Sequence, residues 1–457
     1  MKPDVRDVFL QQAPCCVLAR TTLEHLFEPR RLDDLFHQTA DLQYHREVFF
    51  SDLLHLMLSV VLGTKASVLA AYRDAQAELG VSHQAVYSKL SGTDDSLSEA
   101  LVADSANQVR PVMAALGALQ AEPVPGFRAR IVDGNLLGKT QRRLKPLRST
   151  WARGLPGRVL AVYEPACDLV THAFLERDAH AGERGRMDDV LDLAAPGDLW
   201  IADSLFCTHD IMANFHAAQA KFLIRQHPNL TGEALGERRR IGRCDTGVVY
   251  EEMLQMIGRT AGWILRRLIL VLDQPTTDGE TEIHVLTNVP ETQADAKLLL
   301  DAYRQRWTIE KRFYEVAQTL NAEPRTLAYP AAALFAFCLG LVASNAVALM
   351  RAALRSVHDV EDVKAMSNHY VAEEIRETYR GLTIALMIAP LAADLAPTPE
   401  ALAERLRTIA AHVRPEKYRK ATRGPKKPPP KKPPYKNGVT VSTQRLLDAQ
   451  KTSRQRS

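Results

Sequence analysis

The chain has 457 residues, 46% hydrophobic and 25% charged, which excludes a wholly disordered or collagen-like polypeptide. At about 150 residues per domain, this length predicts roughly two to four domains. The net charge of +4 conceals an asymmetry: residues 414–457 contain 14 Lys and Arg against 2 acidic residues, whereas the remainder has 44 basic and 52 acidic residues. A mildly acidic body therefore carries a basic segment, of the kind that binds polyanions or stays solvated.

The six cysteines include no Cys-x-x-Cys pair, which argues against a zinc ribbon or a disulfide scaffold and favours a reducing compartment. The adjacent Cys15 and Cys16 have no partner cluster and are expected to be packed thiols. The opening residues lack the basic and apolar regions of an export signal. The sequence therefore predicts a cytoplasmic protein.

Residues 1–125 are predicted to be helical, because apolar residues recur at three-to-four spacing in 53–63 and 66–79. Gly80 is expected to end the second of these helices, and Ser82 can cap the next one. This pattern fits a helix-turn-helix DNA reader or an ordinary helical hairpin in a bundle. The spacing alone favours the hairpin.

After the turn at 123–126 the apolar period changes, and residues 126–413 are predicted to be a mixed α/β domain. A strand is expected at 128–138, a hairpin at 158–177, a strand at 199–203, a helix at 207–219, a strand at 221–227, a β-rich insertion at about 228–290 and a long helix at 294–320, the first of the C-terminal helices within 294–413. Residues 414–457, rich in proline and lysine, are predicted to be a disordered, extended basic tail.

The segment 331–350 has 20 residues without a charge, close to the length of a transmembrane helix. Its high alanine content and the polar pair Ser344 and Asn345 favour a buried helix at the centre of a large domain. We therefore expect no membrane association.

Three acidic residues lie where a catalytic site could form. Asp133 and Asp203 come at the ends of predicted strands, and Glu310 lies within the predicted long helix. Carboxylates from adjacent strands and from a helix across them can converge, and oxygen ligands suit Mg²⁺. Two such ions about 3.5–4 Å apart can act on a phosphodiester. For either aspartate alone, a turn or helix-capping role is the more common explanation.

The neighbouring sequence favours a site that acts on nucleic acid. Seven cations and no acid follow Asp133 within 25 residues, as expected of a phosphate-binding track; they are Lys139, Arg142, Arg143, Lys145, Arg148, Arg153 and Arg158. On a helix, Tyr303, Arg306 and Glu310 would share one face. Arg306 is therefore expected to contact a DNA phosphate and not to lie in the core. Arg225, at the end of the 221–227 strand, is a further candidate DNA contact.

Several motifs occur in an order that resembles the bacterial insertion-sequence DDE transposases, specifically the insertion-sequence-four group. VDGNLL and WIADSLFCT resemble the motifs around its first two aspartates, and YRQRWTIEKRF resembles its signature Y-x2-R-x3-E-x6-K. FLIRQH and VLTNV resemble framework strands, while LFEPRRLDDLF, REVFFSDLLHLMLSVV and ASVLAAY resemble the N-terminal region. The resemblance extends from about residue 27 to 400.

This resemblance implies an RNase H-like core with the triad Asp133, Asp203 and Glu310, which would hold Mg²⁺ or Mn²⁺, with two ions expected. It also implies DNA contacts by Tyr303 and Arg306. The implied partner is double-stranded DNA, both the terminal inverted repeats of the transposon and the target, bound by a homodimer of a nucleoid-associated protein. The implied reaction is cut-and-paste transposition, with endonuclease cleavage and strand transfer.

Two positions depart from the family pattern. The final lysine of the signature is replaced by Ala317, so that DNA contact is either missing or supplied elsewhere, for which Lys311 and Arg312 are candidates. The second motif continues with Ser204 and Leu205 instead of Arg-Asn. Two alternatives remain open: a metal-dependent nuclease that cuts without joining, and a transposase-derived protein that only binds DNA.

Overall fold

The computed structural model describes residues 5–39, 49–138, 144–148, 153–276, 279–324, 326–385, 398–420 and 440–455. Among these residues, seven helices precede the sheet: α1 (Val5–Gln12), α2 (Pro14–Leu26), α3 (Pro29–Thr39), α4 (Phe50–Val61), α5 (Val68–Leu79), α6 (His83–Ser91) and α7 (Asp95–Ala115). Gly80 ends α5 with a left-handed backbone (φ 65°), and the Ser82 side chain accepts a hydrogen bond from the amide of Ala85 at the start of α6. The predicted pair of helices and its turn are confirmed, whereas DNA reading by this pair stays a prediction.

The described strands of the central domain, apart from β2, form one mixed sheet. In chain order the elements are β1 (Arg128–Leu136), α8 (Lys145–Arg148), β2 (Arg153–Leu155), β3 (Arg158–Glu164), β4 (Leu169–Glu176), α9 (Met187–Leu191), β5 (Asp198–Ala202), α10 (His209–Ala217), β6 (Lys221–Arg225), β7 (Gly232–Ala234), β8 (Arg239–Cys244), β9 (Gly247–Met256), β10 (Ile264–Leu272) and β11 (Glu282–Thr287). The strand order is β4-β3-β1-β5-β6-β11-β10-β9-β7, and β8 also pairs with β9.

Strand direction changes across this sheet. β1 runs antiparallel to β3 and parallel to β5, and β5 runs parallel to β6. Every residue of β5 is buried, as expected of a central strand that is covered on both faces. The half β4-β3-β1-β5-β6 is the mixed sheet predicted for an RNase H-like fold, and this prediction is confirmed.

The predicted β-rich insertion continues this sheet. β11 pairs antiparallel with β6 through contacts such as Val285 with Arg225, and β10 and β9 follow in turn. Buried apolar residues such as Leu268 and Leu270 on β10 belong to the main hydrophobic core. Because hydrogen bonds and core both cross the junction, the insertion is joined to the half of the sheet that contains β1, β5 and β6.

The helices after the sheet are α11 (Ala296–Arg304), α12 (Trp307–Gln318), α13 (Pro330–Arg355), α14 (Val360–Ala365), α15 (Asn368–Ala385) and α16 (Pro399–Ala410). The single helix predicted over 294–320 is therefore wrong, because the chain breaks between α11 and α12. At the break, the amide of Arg306 donates to the carbonyl of Tyr303 at 2.9 Å and that of Thr308 to Gln305 at 2.9 Å. These three-residue hydrogen bonds tighten the chain and redirect α12.

The apolar segment 331–350 forms most of α13, a helix long and apolar enough to cross a membrane by length and composition, and 94% of its most apolar window is buried inside the protein. It packs against α7, α2 and β4. The side chain of Asn345 donates to Ser105 Oγ at 2.8 Å and to the carbonyl of Val170 at 2.9 Å, and accepts from the amide of Val170 at 2.9 Å. The prediction of a buried core helix is confirmed.

One hydrophobic core extends from α2, α4 and α7 through α13 to the faces of β1, β3 and β4. The 1–125 helices thus pack on both the sheet and the helices that follow it. The division into units at 1–125, 126–413 and 414–457 stays a prediction.

The basic tail differs from the expectation of an entirely extended segment. Tyr418 is buried and its hydroxyl donates to Glu374. Further on, β12 (Thr440–Ser442) pairs in parallel with β2, and α17 (Thr443–Gln455) follows it directly. The physical reason lies in the composition, because 440–455 has no proline and contains the apolar pair Leu446 and Leu447. The proline-rich part, 421–439, lies outside the described residues.

α17 packs against the chain that follows the first candidate acid. Leu446 and Leu447 contact a small apolar cluster formed by Leu144, Leu147 and Ala328. Arg445 also pairs with Asp178, with Nε and Oδ2 2.7 Å apart. The C-terminal segment is thereby anchored beside the predicted phosphate-binding track.

Candidate active site

The first candidate acid, Asp133, lies inside β1 and faces Ala161 of β3 in the strand register. Its side chain is largely buried, and Oδ1 accepts a hydrogen bond from the amide of Gly134 at 2.9 Å. A carboxylate removed from water needs compensating charge or hydrogen bonds. Asp133 is therefore not the solvent-facing turn residue that its sequence position alone suggested.

The second candidate acid, Asp203, follows β5. Ile131 of β1 pairs with Ile201 of β5, so Asp133 and Asp203 come two residues further along two adjacent parallel strands, which are separated by about 4.8 Å. The Asp203 side chain accepts from the amide of Leu205 at 2.8 Å and caps a single 3-10 turn, Ser204–Phe206. The register places the first two acids side by side.

The third candidate acid, Glu310, lies in the first turn of α12. A single arginine connects it to the first acid: Arg306 Nη1 is 2.9 Å from Asp133 Oδ2 and 2.8 Å from Glu310 Oε1. Arg306 is 7% exposed, and its guanidinium also lies over the ring of Trp307, 5.1 Å from the centroid. The break before α12 therefore brings Arg306 and Glu310 over β1.

The neighbouring acids affect the pKa of Asp133. Burial raises the pKa of the Asp133 carboxyl to about 7; the Arg306 guanidinium opposes this shift, while Asp203 and Glu310 add to it. Like charges that face one another at a buried site favour the uptake of a cation. The three acids predicted from the sequence thus act on one another in the structure.

Two predicted DNA contacts also lie at this site. Burial raises the pKa of Tyr303 to about 12, and Arg306, Arg225 and Asp203 all act on the phenol. The Arg225 guanidinium pairs with Glu280. Tyr303 and Arg225 are therefore neighbours of the acids, as the sequence predicts, but Tyr303 is buried and Arg225 has a protein partner.

The structure corrects two expectations about where arginine side chains lie, and the contact of Arg306 with DNA stays a prediction. Arg306 does not lie on an open helix face, because its charge is neutralised inside the site by two carboxylates. Arg312 cannot replace the lysine missing at position 317, because it is buried and pairs with Asp168 and Glu315. In both cases the guanidinium pairs with a buried acid inside the protein. Helical periodicity describes only the helix itself, so it cannot predict a partner from another part of the chain.

Three of the predicted cations, Lys139, Arg142 and Arg143, lie outside the described residues. Of the same run, Arg158 donates to the carbonyl of Ala181 at 2.6 Å. The phosphate-binding track therefore stays a prediction.

Sequence reasoning missed a fourth acid, Glu183. A Cβ placed on Gly134 would come within 2.0 Å of Glu183 Oε1, so only glycine after Asp133 lets this carboxylate approach the strand. Burial raises the pKa of Glu183, Arg158 opposes the shift, and Asp203 adds to it. The glycine in VDGN was the available signal, since glycine in a strand often marks a close approach.

Trp307 was also missed. The indole is 57% exposed beside the site, while the neighbouring Arg306 is buried. An exposed aromatic ring next to an arginine is a feature of surfaces that stack nucleic-acid bases. The sequence signal was the Arg-Trp pair within YRQRWTIEKRF.

The donor chemistry of the site fits a divalent metal ion, because its oxygen ligands are carboxylates that repel one another. In the described part of the chain, however, no three Asp, Glu, His or Cys side chains are arranged closely enough to hold a metal ion. Arg306 lies between two of the candidate ligands, and Asp203 is turned toward its own capping bond. Asp133, Glu310 and Asp203 are the residues that would hold the ion.

The strand order and the three acids together define an RNase H-like domain with an acidic centre. Residues 128–346 match the family described as "Transposase DDE domain", and the match includes all three acids. This segment is therefore similar to transposase DDE domains. No curated protein sequence matches the chain.

One solved structure is similar in outline: a cryo-EM structure of the piggyBac transposase synaptic complex with hairpin DNA. It is 10% identical, the alignment covers 87% of this chain and 86% of that one, and the TM-score is 0.41. A score this low supports no conclusion about this chain.

Proposed function

We propose that the protein is a DNA transposase of the insertion-sequence-four group. It would bind transposon ends as a homodimer, cleave the DNA in a reaction that depends on Mg²⁺ or Mn²⁺, and join the ends to target DNA. The proposal is carried by the placement of Asp133 and Asp203 on adjacent parallel strands, with Arg306 linking Asp133 to Glu310, inside a segment that matches transposase DDE domains.

The residues of the site would have different roles in a phosphodiester reaction. Asp133 and Asp203 offer carboxylate oxygens from a rigid sheet, and Glu310 offers a third from α12. Bound divalent ions, with two expected, would supply Lewis acidity and activate the attacking oxygen. Arg306, Tyr303 and Trp307 border these acids and would position the DNA strand, because guanidinium groups pair with phosphates and aromatic rings stack on bases.

The experiment compares Asp133→Asn, Asp203→Asn and Glu310→Gln with the wild-type protein on DNA that carries the element's ends. Each amide keeps the shape but loses a charge needed for a divalent cation, so cleavage in Mg²⁺ should fall at least about a thousandfold. Binding to the ends should change little. A variant that cleaves at nearly the wild-type rate would show that its residue is not a metal ligand.

A second assay with pre-cut ends distinguishes the transposase from a nuclease on the same fold. Joined products are expected for the transposase. Cleavage of intact ends without any joined product would favour the nuclease. A wild-type protein that binds the ends but neither cuts nor joins would favour a DNA-binding protein derived from a transposase.

A further inference from the structure

One nitrogen atom of Arg306 neutralises two candidate metal ligands. Nη1 lies 2.9 Å from Asp133 Oδ2 and 2.8 Å from Glu310 Oε1. A divalent cation that binds these carboxylates needs its oxygen ligands at about 2.0–2.2 Å. The guanidinium and the cation therefore compete for the same oxygen atoms.

We infer that Arg306 is an internal counter-ion whose guanidinium occupies the position of the metal cation in the DNA-free protein. When the metal binds, Arg306 leaves that position and pairs with a DNA phosphate. The inference rests on the proposed function and adds a regulatory step to it. Metal binding and DNA binding are then coupled. The metal takes the carboxylates that hold Arg306 in place, and DNA supplies a phosphate as the new partner of Arg306.

The surroundings of Arg306 suit such an exchange. Its Nε is buried and makes no hydrogen bond, so the fork of the guanidinium is only partly satisfied, and a phosphate can engage two of its donors at once. The residue also lies at the break between α11 and α12, where the backbone leaves the regular helix. The half-exposed Trp307 ring lies over the guanidinium.

The charges explain why a counter-ion is needed when no metal is bound. Asp133 is buried, and both Asp203 and Glu310 act on it as like charges. Removing the arginine leaves these carboxylates facing one another without compensation, which destabilises a buried site. A divalent cation restores the balance. The DNA-free protein without Arg306 should therefore be less stable in a chelator and should bind the cation more tightly.

The test measures Mn²⁺ binding by electron paramagnetic resonance of the free ion, with and without an unrelated DNA duplex at low salt. Wild type is compared with Arg306→Gln and with Arg304→Gln, a control at an exposed arginine that pairs with Asp301 on α11. Titration of Asp133→Asn with the same duplex gives the Mn²⁺ bound by the DNA itself. Thermal melting in a chelator is recorded for each variant.

Wild type and Arg304→Gln should bind Mn²⁺ at least tenfold more tightly with DNA than without it. Arg306→Gln should bind Mn²⁺ without DNA at least tenfold more tightly than wild type and should gain little from DNA. It should also melt at a lower temperature than Arg304→Gln in the chelator, and Mn²⁺ should restore much of the loss.

Equal Mn²⁺ affinity of wild type with and without DNA overturns the inference, even if Arg306→Gln does not fold. Equal affinity of folded Arg306→Gln and wild type without DNA overturns it as well. Either result leaves the proposed function intact as long as Asp133→Asn abolishes the specific binding. Absence of specific Mn²⁺ binding by wild type under both conditions overturns the proposed metal centre together with the inference.

Discussion

Trp307 is the most exposed large side chain next to the buried ion pairs of the candidate site. If its ring stacks on a base or sugar of the bound strand, Trp307→Ala should weaken DNA binding by about 1–3 kcal/mol without changing the melting temperature. Fluorescence anisotropy with a labelled duplex measures the change. Tyr314→Ala, at another exposed aromatic on α12, is the matched control, and equal affinities of the two variants would refute a role of Trp307 in stacking.

His172 on β4 gives the folded protein a pH dependence. Burial, together with the charge of Arg130, lowers the pKa of His172 to about 4. The folded state stays neutral while the unfolded chain takes up a proton below pH 6.5, so this contribution to stability is present above pH 6.5 and is lost as the pH falls toward 4.

The expected loss attributable to His172 is about 2–3 kcal/mol. Urea unfolding at pH 7 and pH 4.5 measures it as the difference between wild type and His172→Gln, which should lose less stability on acidification. The exposed His180 provides the control His180→Gln, whose pH dependence should match that of wild type. A His172→Gln curve parallel to the wild-type curve would show that His172 does not titrate differently on folding.

At the scale of single elements, the predictable parts of the chain were those with a strong local pattern. The apolar run LWIA in β5 and the Gly80–Ser82 turn are visible in sequence, because burial and backbone conformation there depend on neighbouring residues. The break at Gln305 and Arg306 was not predictable, since neither residue disfavours a helix. A distant carboxylate, Asp133, attracts Arg306, and that attraction is a tertiary effect.

The C-terminal helix α17 provides an element-scale prediction. Replacing both Leu446 and Leu447 by alanine removes the apolar contacts with Leu144 and Leu147, which should release α17 from the domain while the core stays folded. Limited proteolysis should then cut within 440–455 at least tenfold faster than in wild type. Lys451→Ala, at an exposed position of α17, should leave the rate unchanged, and unchanged cleavage of the double variant would mean that these leucines do not hold the helix.

At the scale of the whole molecule, the three acids were proposed from sequence because strand ends, cation runs and motif order are local signals. Their relation to one another was not, because it depends on the register of β1 with β5 and on the arginine that links two of them. Glu183 was missed for the same reason: its approach to Gly134 joins segments that are far apart in sequence.

The charge distribution provides a prediction about the whole chain. Changing Lys426, Lys427, Lys431 and Lys432 to glutamine removes four positive charges from the basic segment, so affinity for unrelated duplex DNA should fall less steeply with salt. For each phosphate that the variant no longer neutralises, the log–log slope should decrease in magnitude by about 0.9. The substitutions are preferable to truncation after Val413, which also removes the buried Tyr418 and the β12–α17 segment.

Four lysine-to-arginine changes at the same positions keep the charge and should keep the wild-type slope. A salt titration of binding compares the three proteins. Equal slopes for the glutamine variant and wild type would show that these lysines do not contact DNA in the complex.

The pairing of β2 with β12 has a consequence during synthesis. Arg153 of β2 is synthesised before its partner Thr440 of β12. At a synthesis rate of about 5–20 residues per second, Thr440 follows tens of seconds later. Throughout that interval β2 lacks its partner strand, and Leu144 and Leu147 lack the contacts of Leu446 and Leu447. A 440–455 segment from a neighbouring copy carries the same sequence, so pairing between two chains is chemically equivalent to pairing within one. The local concentration of newly made chains then decides which form accumulates, the closed monomer or a strand-exchanged pair.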